Sequence, residues 1–571
     1  TFTLALNNFR QTGGGGFAML RDAPVVYDRQ EDIRQLLIDE VRQQRTLDPR
    51  TYATLNWRIE PADAIGTAFR SMRGTDVRSP TFSRAITGRR LRLIAINDFH
   101  GALEPRRDSA GTQRGGALAL AAEIARARAE CVAPACVSLL LDGGDEFQGT
   151  AASNFAFGRP VVALFNQLGV SAAALGNHEF DWGQDTLRRR MRDAAYPILG
   201  ANVRNRDGSD VTWIPDDTLL AVGGLRVGVI GIATVETSRT TKTENVSDLM
   251  FVDPAPVVDE HARSLRARGA QFVIVVAHAG AFCDRNAARS CEGEIIALAQ
   301  RVTEHIDAFV SGHTHSALAS IIRGAPVVQA RTRGTAIGVV DLPVEAGTSP
   351  SIELRDVLPD RVTTRDSVVA RIVRDATESL RERMNRPIAR IGDRMPAGLN
   401  GTLGNLIADA QRAAGHGDVA IMNTGGVRAP LDTGMATFGS LFEVQPFANT
   451  LVRLTVRGRE LREYLERVVA NSPVRAHLSG AEVRFDPSRA SGSKVIDVRL
   501  SGGRPINDTA TYRLIMTDFL ATGGDGLNLA GTALRVEPLP IVDLDALIDY
   551  LRGQPAPVRA PTDRRLIPVT P

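Results

Sequence analysis

The sequence predicts an α/β layered fold joined to a second, mixed α/β unit, and three observations predict it. Short apolar runs recur along residues 91–315 and end in polar residues or glycine. Helical patterns lie between several of them. An internal repeat marks a second structural unit toward the end of the chain. Continuous apolar runs of this length suit strands buried on both faces, and strands alternating with helices build layered α/β domains.

The repeat sets the organisation. Thr1 to Phe17, TFTLALNNFRQTGGGGF, aligns without a gap on Thr511 to Leu527, TYRLIMTDFLATGGDGL. Each is followed by an amphipathic helical stretch, IRQLLIDEV at 33–41 and LDALIDYL at 544–551. Residues 1–60 therefore read as the orphan tail of a preceding copy of the C-terminal unit, and 61–90 as a linker. The strand series follows within a domain at 91–358: LRLIAIND (91–98), VSLLLDGGD (137–145), SAAALGNHE (171–179), LRVGVIGIAT (225–234), FVIVVAHAG (272–280) and DAFVSGHTH (307–315). Helices are expected at 116–130, 160–168, 254–267 and 294–304. Val368, Val369, Ile372, Val373, Ala376, Leu380 and Met384 share one helical face, which predicts a helix joining two domains within 359–386. Residues 387–555 form the second unit, and the Pro-rich tail 556–571 reads as extended or loose.

Composition narrows the class. The chain has 571 residues, 43% hydrophobic and 23% charged, which is enough for several domains with their own cores. A net charge of +3 gives no field for gripping a nucleic-acid polymer. The lysines are Lys242 and Lys494 alone; arginine supplies the remaining basic residues. No apolar run reaches the ~20 residues that span a bilayer. The first residue is Thr and no targeting segment is visible, which says nothing about export. Cys131 with Cys136, and Cys283 with Cys291, bracket short loops; close, even pairing predicts two small disulfides and an extracytoplasmic compartment.

The chemistry sits where the strands end. Asp98 and His100 close the first run, Asp145 the second, Asn177 and His178 the third; His278 closes a later run, and His313 and His315 the last. Open α/β sheets build their sites at strand carboxyl ends. A single His there is more often structural than a ligand. Here Asp, Asn and His recur in order, with Gly beside most of them. Oxygen and nitrogen donors without Cys suit divalent Mn, Zn, Co, Fe or Mg. The seven exceed one ion's usual complement, and a shared carboxylate lets two ions lower the pKa of a bridging water and grip a phosphoryl group.

NDFHG, DGGDEFQGT, GNHEFD, VVAHAG and SGHTH together resemble the motif series of the calcineurin-like metallophosphoesterases. With the C-terminal motifs MNTGGVR (422–428), QPFANTL (445–451) and DFLATGGDG (518–526), the chain resembles the 5′-nucleotidase family. The resemblance covers about 91–555. It implies a four-layer sandwich catalytic domain followed by a nucleotide-binding C-terminal domain. It implies one metal on Asp98, His100 and His315, a second on Asn177, His278 and His313, and Asp145 bridging them. His178 is implied as the catalytic histidine, oriented by Asp181. A carboxylate three residues on can hold a ring tautomer, although Asp181 could instead cap the following helix. Asn423 and Arg428 match binding positions, Phe447 and Phe519 the rings that sandwich a base, and Asp525 the ribose-binding carboxylate. In isolation both Phe would read as core.

The implied reaction is hydrolysis of a nucleoside 5′-monophosphate. Nucleotide-sugar and 2′,3′-cyclic-nucleotide hydrolysis remain alternatives. So do a thiosulfohydrolase-like activity, which has no use for a base sandwich, and a nucleotide-binding surface protein, which has no use for a full ligand set. One departure stands out: where the family presents an Arg before LGNL, this chain has Leu399, with Arg394 as a nearby substitute. The N-terminal NNFRQTGGGG resembles the end of 2′,3′-cyclic-nucleotide phosphodiesterase/3′-nucleotidases, which implies a tandem parent with that activity upstream.

Overall fold

The computed structural model describes residues 88–569, apart from 109–110, 284–290, 346–347, 363–364, 400, 471–473 and 528–530. The orphan-tail reading of 1–60 and nearly all of the linker 61–90 lie outside the described residues.

Two six-stranded sheets form the first half. In one the order is Ser351–Asp356, Ala336–Pro343, Arg90–Ile96, Cys136–Asp142, Ala172–Ala174, Ile198–Leu199. In the other it is Ala317–Ile322, Ala325–Ala330, Ala308–Ser311, Phe272–Ala277, Leu225–Ile232, Asp217–Val222. Side-chain alternation explains why these runs are apolar throughout. Leu91, Leu93 and Ala95 enter a core between the sheets with Leu139, Val227, Ile274 and Val310. Ile94 and Ile96 face the other way, into a core shared with the helices Ala117–Ala129 and Arg159–Leu168. Val273 and Val275 do the same against Pro254–Ala267 and Glu294–Arg301. The result is a four-layer helix–sheet–sheet–helix sandwich. Each fully buried Leu, Ile or Val contributes about 1.5–3 kcal/mol relative to exposure.

The joining segment is broken rather than continuous. The helix Ser367–Thr377 is capped by Asp366, which accepts from the N–H groups of Val368 and Val369 at 2.8 and 3.1 Å. A 3₁₀ turn, Glu378–Leu380, and a short helix, Arg381–Asn385, follow. Val369, Ile372, Val373 and Ala376 pack on the core of the first half, whereas Leu380 and Met384 pack on the second. The single apolar stripe thus serves two cores in turn.

The second half is a five-stranded sheet in the order Ala476–Ser479, Val419–Asn423, Thr511–Thr517, Thr450–Arg457, Arg535–Val542. Thr402–Ala414 and Asp543–Gly553 help bury one set of side chains, and Gly458–Ala470 another. The Pro-rich tail is docked rather than loose. Leu566–Pro568 pairs in parallel with Ala481–Phe485, and Arg565 forms an ion pair with Asp409 at 2.8 Å. Cys131–Cys136 and Cys283–Cys291 are both disulfides. Among the described residues no helix is long and apolar enough to cross a membrane.

Candidate active site

Arg90–Ile96, Cys136–Asp142 and Ala172–Ala174 run parallel in one sheet, as do Leu225–Ile232, Phe272–Ala277 and Ala308–Ser311 in the other. Their carboxyl ends deliver Asp98, His100, Asp145, Asn177, His278, His313 and His315 to one place. Asp98, His100 and His315 offer donor atoms within 4.8 Å of one another, and so do Asp98, Asp145 and His278. Asp98 thus belongs to both groups, although Asp145 is the carboxylate close to His278, at 3.1 Å.

Hydrogen bonding leaves these rings ready to donate lone pairs. His100 Nδ1–H donates to the Gln148 carbonyl at 2.7 Å, and its Nε2 lies 2.9 Å from His315 Nε2. His278 Nδ1–H donates to the Gly143 carbonyl at 2.8 Å, and its Nε2 lies 3.1 Å from Asp145 Oδ2 and 3.2 Å from Asn177 Oδ1. Fixing one ring nitrogen by a carbonyl presents the other as a ligand. Burial and the neighbouring His315 hold His100 well below the ordinary imidazole pKa, which keeps it neutral. Burial would depress His278 as well, but the Asp145 and Asp98 carboxylates outweigh it and push it up to about 10, so its Nε2 holds a proton against Asp145 that a metal ion would have to displace. Buried carboxylates with converging nitrogen lone pairs demand a cation, so this donor set fits divalent metal.

The ligand loops are strained and held. Asp98, His100, Asp145, His313 and His315 all have positive φ, between 49° and 79°. Such backbone persists only where its surroundings over-determine it. Glu179 supplies much of that constraint: its buried carboxylate accepts the N–H groups of Asp145, Glu146 and Gly176 at 3.0, 2.8 and 2.9 Å. Gly176 itself has no room for a side chain, since a Cβ there would lie 2.2 Å from Asp145 Oδ1. Asn97 donates to Asp98 Oδ2 and to the Arg331 carbonyl, each at 2.6 Å.

His178 occupies a 3₁₀ turn, His178–Phe180, directly after Asn177. Its Nδ1 is 2.8 Å from Asp181 Oδ2, while Asp181 Oδ1 accepts from Thr241 Oγ1 at 2.9 Å. Asp181 does not cap the following helix, since Gln184–Asp193 starts from Gly183 without a side-chain cap. Burial lowers the His178 pKa, but Asp181 and Asp145 more than offset it, and the net shift is upward.

A cavity of about 150 Å³ joins this centre to the second half, with Asp145, Asn177 and His178 at one end and Asn423, Arg428, Phe447, Phe519 and Asp525 among its other walls. Arg428 Nη2 is 3.4 Å from His100 Nε2. Asn423 Nδ2 donates to Asp525 Oδ2 at 2.8 Å. Phe447 stacks on the His178 ring at 5.5 Å, and Phe519 crowds Gly524, where a Cβ would meet the ring at 2.4 Å. Leu399 is absent from the cavity walls and 41% exposed, and Arg394 pairs instead with Asp432 at 2.9 Å.

Glu236 escaped the sequence reading. Its Oε2 is 3.1 Å from His313 Nε2, which leaves His313 Nδ1 as that ring's free nitrogen. Thr240, Thr241, Lys242 and Asn449, also cavity residues, escaped it too. For Glu236 and 240–242 the available signal was the polar stretch TVETSRTTK after LRVGVIGIA, the one strand end in the series without a site residue; Asn449 lies instead within QPFANTL.

A four-layer sandwich with Asp, Asn and His at the strand ends of both sheets defines a metallophosphoesterase. Residues 91–317 match the calcineurin-like phosphoesterase family and 387–532 the 5′-nucleotidase C-terminal domain; the chain belongs to the 5′-nucleotidase family of hydrolases, whose catalytic domain uses divalent metal. It is 28% identical over 527 residues to the snake venom 5′-nucleotidase of Gloydius brevicauda, covering 81% of this chain and 86% of that protein. It is 28% identical over 514 residues to the endonuclease YhcR of Bacillus subtilis, covering 83% of this chain and 41% of that longer protein. The crystal structure of a 5′-nucleotidase precursor from Thermus thermophilus superposes with a TM-score of 0.74 at 27% identity, over 84% of this chain and 100% of that one.

Proposed function

We propose that this chain hydrolyses nucleoside 5′-monophosphates to nucleoside and phosphate. The observation that carries the reading is the continuous cavity between the metal-ligand cluster and Phe447, Phe519 and Asp525. Residues 91–358 would act as the catalytic domain and 387–555 as the nucleotide-binding domain. Asp98, His100 and His315 would hold one divalent ion, and Asn177, His278 and His313 another, with Asp145 shared. Bound there, the ions supply an activated water and countercharge for the phosphoryl oxygens.

The chain's own groups account for the rest. Arg428 meets the phosphoryl oxygens from the side of the second half. Asp181 fixes the tautomer of His178, whose Nε2 carries a proton to the leaving 5′-oxygen. Asn423 and Asp525 offer a donor and an acceptor to ribose hydroxyls, and the two Phe rings hold the base by stacking. Two disulfides, together with a relative from venom, support an extracytoplasmic location.

A hydrolysis screen over 5′-, 3′- and 2′,3′-cyclic nucleotides with Mn, Zn, Co and Mg tests the reading. Preferred release of phosphate from 5′-monophosphates is expected. Cleavage confined to cyclic nucleotides or nucleotide sugars would replace it, and no turnover with any metal would end it.

A further inference from the structure

The second proposed ion depends on a ring that stands apart from the other donors. His313 belongs to neither of the three-residue donor groups, although its ring meets that of His278 edge-on, with centroids 5.0 Å apart. What turns the His313 ring therefore decides whether it joins Asn177 and His278. Its main chain is tied elsewhere, because its N–H donates to the Asp98 carboxylate at 3.0 Å. Among the described residues its side chain has a single hydrogen-bond partner, Glu236, whose Oε2 lies 3.1 Å from Nε2.

Glu236 is itself held in place. Its N–H donates to Thr234 Oγ1 at 3.1 Å, and Thr234 Oγ1 donates to the Glu294 carboxylate at 2.7 Å. Its carbonyl accepts the N–H groups of Arg239 and Thr240 at 2.8 and 3.0 Å, closing the turn that ends at Thr240. The same turn reaches a second ligand. The Thr240 carbonyl accepts from Asn177 Nδ2 at 3.3 Å, which leaves Asn177 Oδ1 facing His278 Nε2 at 3.2 Å. An amide that donates through its nitrogen presents its oxygen to a cation. A ring that donates Nε2–H to a carboxylate presents Nδ1 and gains basicity. The described side chains of Asp98, His100 and His315 bond instead to Asn97, Gln148, Arg428 and one another, and to the His313 N–H.

We infer that Glu236 is a positioning residue for the second ion: it fixes His313 as an Nδ1 ligand and so sets that ion's affinity while leaving the first ion alone. Thr240 does the corresponding work for Asn177 through its main chain. The inference rests on the two-ion reading above and adds that the two ions differ in what supports them, so that one can be weakened by itself. Glu236 suits the test, since its side chain is 46% exposed and its removal opens no core cavity.

The test titrates the full chain, stripped of metal, with Mn²⁺ alone and follows bound ion by equilibrium dialysis and elemental analysis. The parent should take up two ions. Glu236→Ala should bind one with unchanged affinity and the other roughly 10–100-fold more weakly, the usual effect of removing the group behind a histidine ligand. Glu236→Gln, whose amide oxygen still accepts from Nε2–H, should recover most of that loss. The metal-free proteins should melt alike. Two ions at parental affinity in Glu236→Ala overturn the inference, and so does the absence of recovery in Glu236→Gln. Equal weakening of both ions, or a lowered melting temperature in the metal-free Glu236→Ala protein, overturns it too, by making Glu236 a prop for the whole loop. Uptake of fewer than two ions by the parent instead overturns the two-ion reading beneath it.

Discussion

Arg428 is the sharpest place to test the proposed chemistry. It lies in the cavity, near His100, and among the described residues it has no carboxylate ion pair. Burial is the main influence on its pKa and lowers it. A half-buried guanidinium without a bound counterion has N–H donors left for a phosphate. Arg pairs with phosphate through two parallel hydrogen bonds, each charge-assisted bond contributing about 1.5–3 kcal/mol. Losing both costs about 3–6 kcal/mol, or roughly 10²–10⁴ in kcat/KM at ~1.4 kcal/mol per decade. Arg428→Ala should therefore lower kcat/KM for AMP by that factor. Arg428→Lys, which retains charge but only a single point of contact, should recover about half of the loss on a logarithmic scale. The assay is phosphate release over a range of AMP concentrations, with bound metal measured on the same samples. An Arg428→Ala protein with normal metal content and kcat/KM within about threefold of the parent refutes the assignment and moves the phosphate contact elsewhere.

Asp145→Ala should lose both metals, because the proposed bridging carboxylate serves each; elemental analysis retaining about one ion per chain would instead make Asp98 the shared group. His178→Ala should keep its metal while kcat falls by roughly 10²–10⁴, and metal loss in that variant would make His178 a ligand. Asp543 gives a pH prediction. Burial is the main cause raising its pKa from 3.8 to about 7, with Asp518 adding to it and the Leu544 N–H and Lys242 opposing. A raised folded-state pKa means that its stabilisation is complete below about pH 4 and is lost as pH rises toward 7, on the order of 4 kcal/mol across that window. Asp543→Asn should flatten this dependence, melting closer to or above the parent at pH 8 than at pH 5; parallel melting curves at the two pH values would refute it.

Much of this site could be read from sequence because its residues are tied to strand ends. Asp98, Asp145, Asn177, His278 and His313 each follow an apolar run by a residue or a few, so the pattern that predicts the strand also places the side chain. Phe447, Phe519 and Asp525 carry no such local signal; only motif resemblance singled them out, since a half-buried Phe has the same sequence appearance as a core one. Glu236 and Asn449 were illegible for a different reason. Glu236 acts on His313, 77 positions away. Asn449 belongs to the cavity because the 450–457 strand pairs with 511–517 and sets it near Asp518. Leu399 is a departure that only motif resemblance could flag, and it stands outside the cavity walls.

The division of labour follows from the physics of the two halves. The first half must hold strained, charged loops, and it does so between two six-stranded sheets whose shared core leaves those loops little freedom. Only a rigid scaffold keeps five ligand-loop residues at positive φ. The proposed recognition asks for something else: flat rings, a carboxylate for the ribose and an arginine with no carboxylate ion pair among the described residues. Placing these on a second domain lets the catalytic loops stay invariant in geometry while substrate contacts vary. The segment Thr240–Lys242 is where the separation is bridged, because it touches Asn177, Asp181 and Asp518 in three successive residues. A change there can disturb Asn177, Asp181 and Asp518 at once. Substitutions at Thr241 or Lys242 are therefore best read by metal content, kcat and substrate ratio together rather than by activity alone.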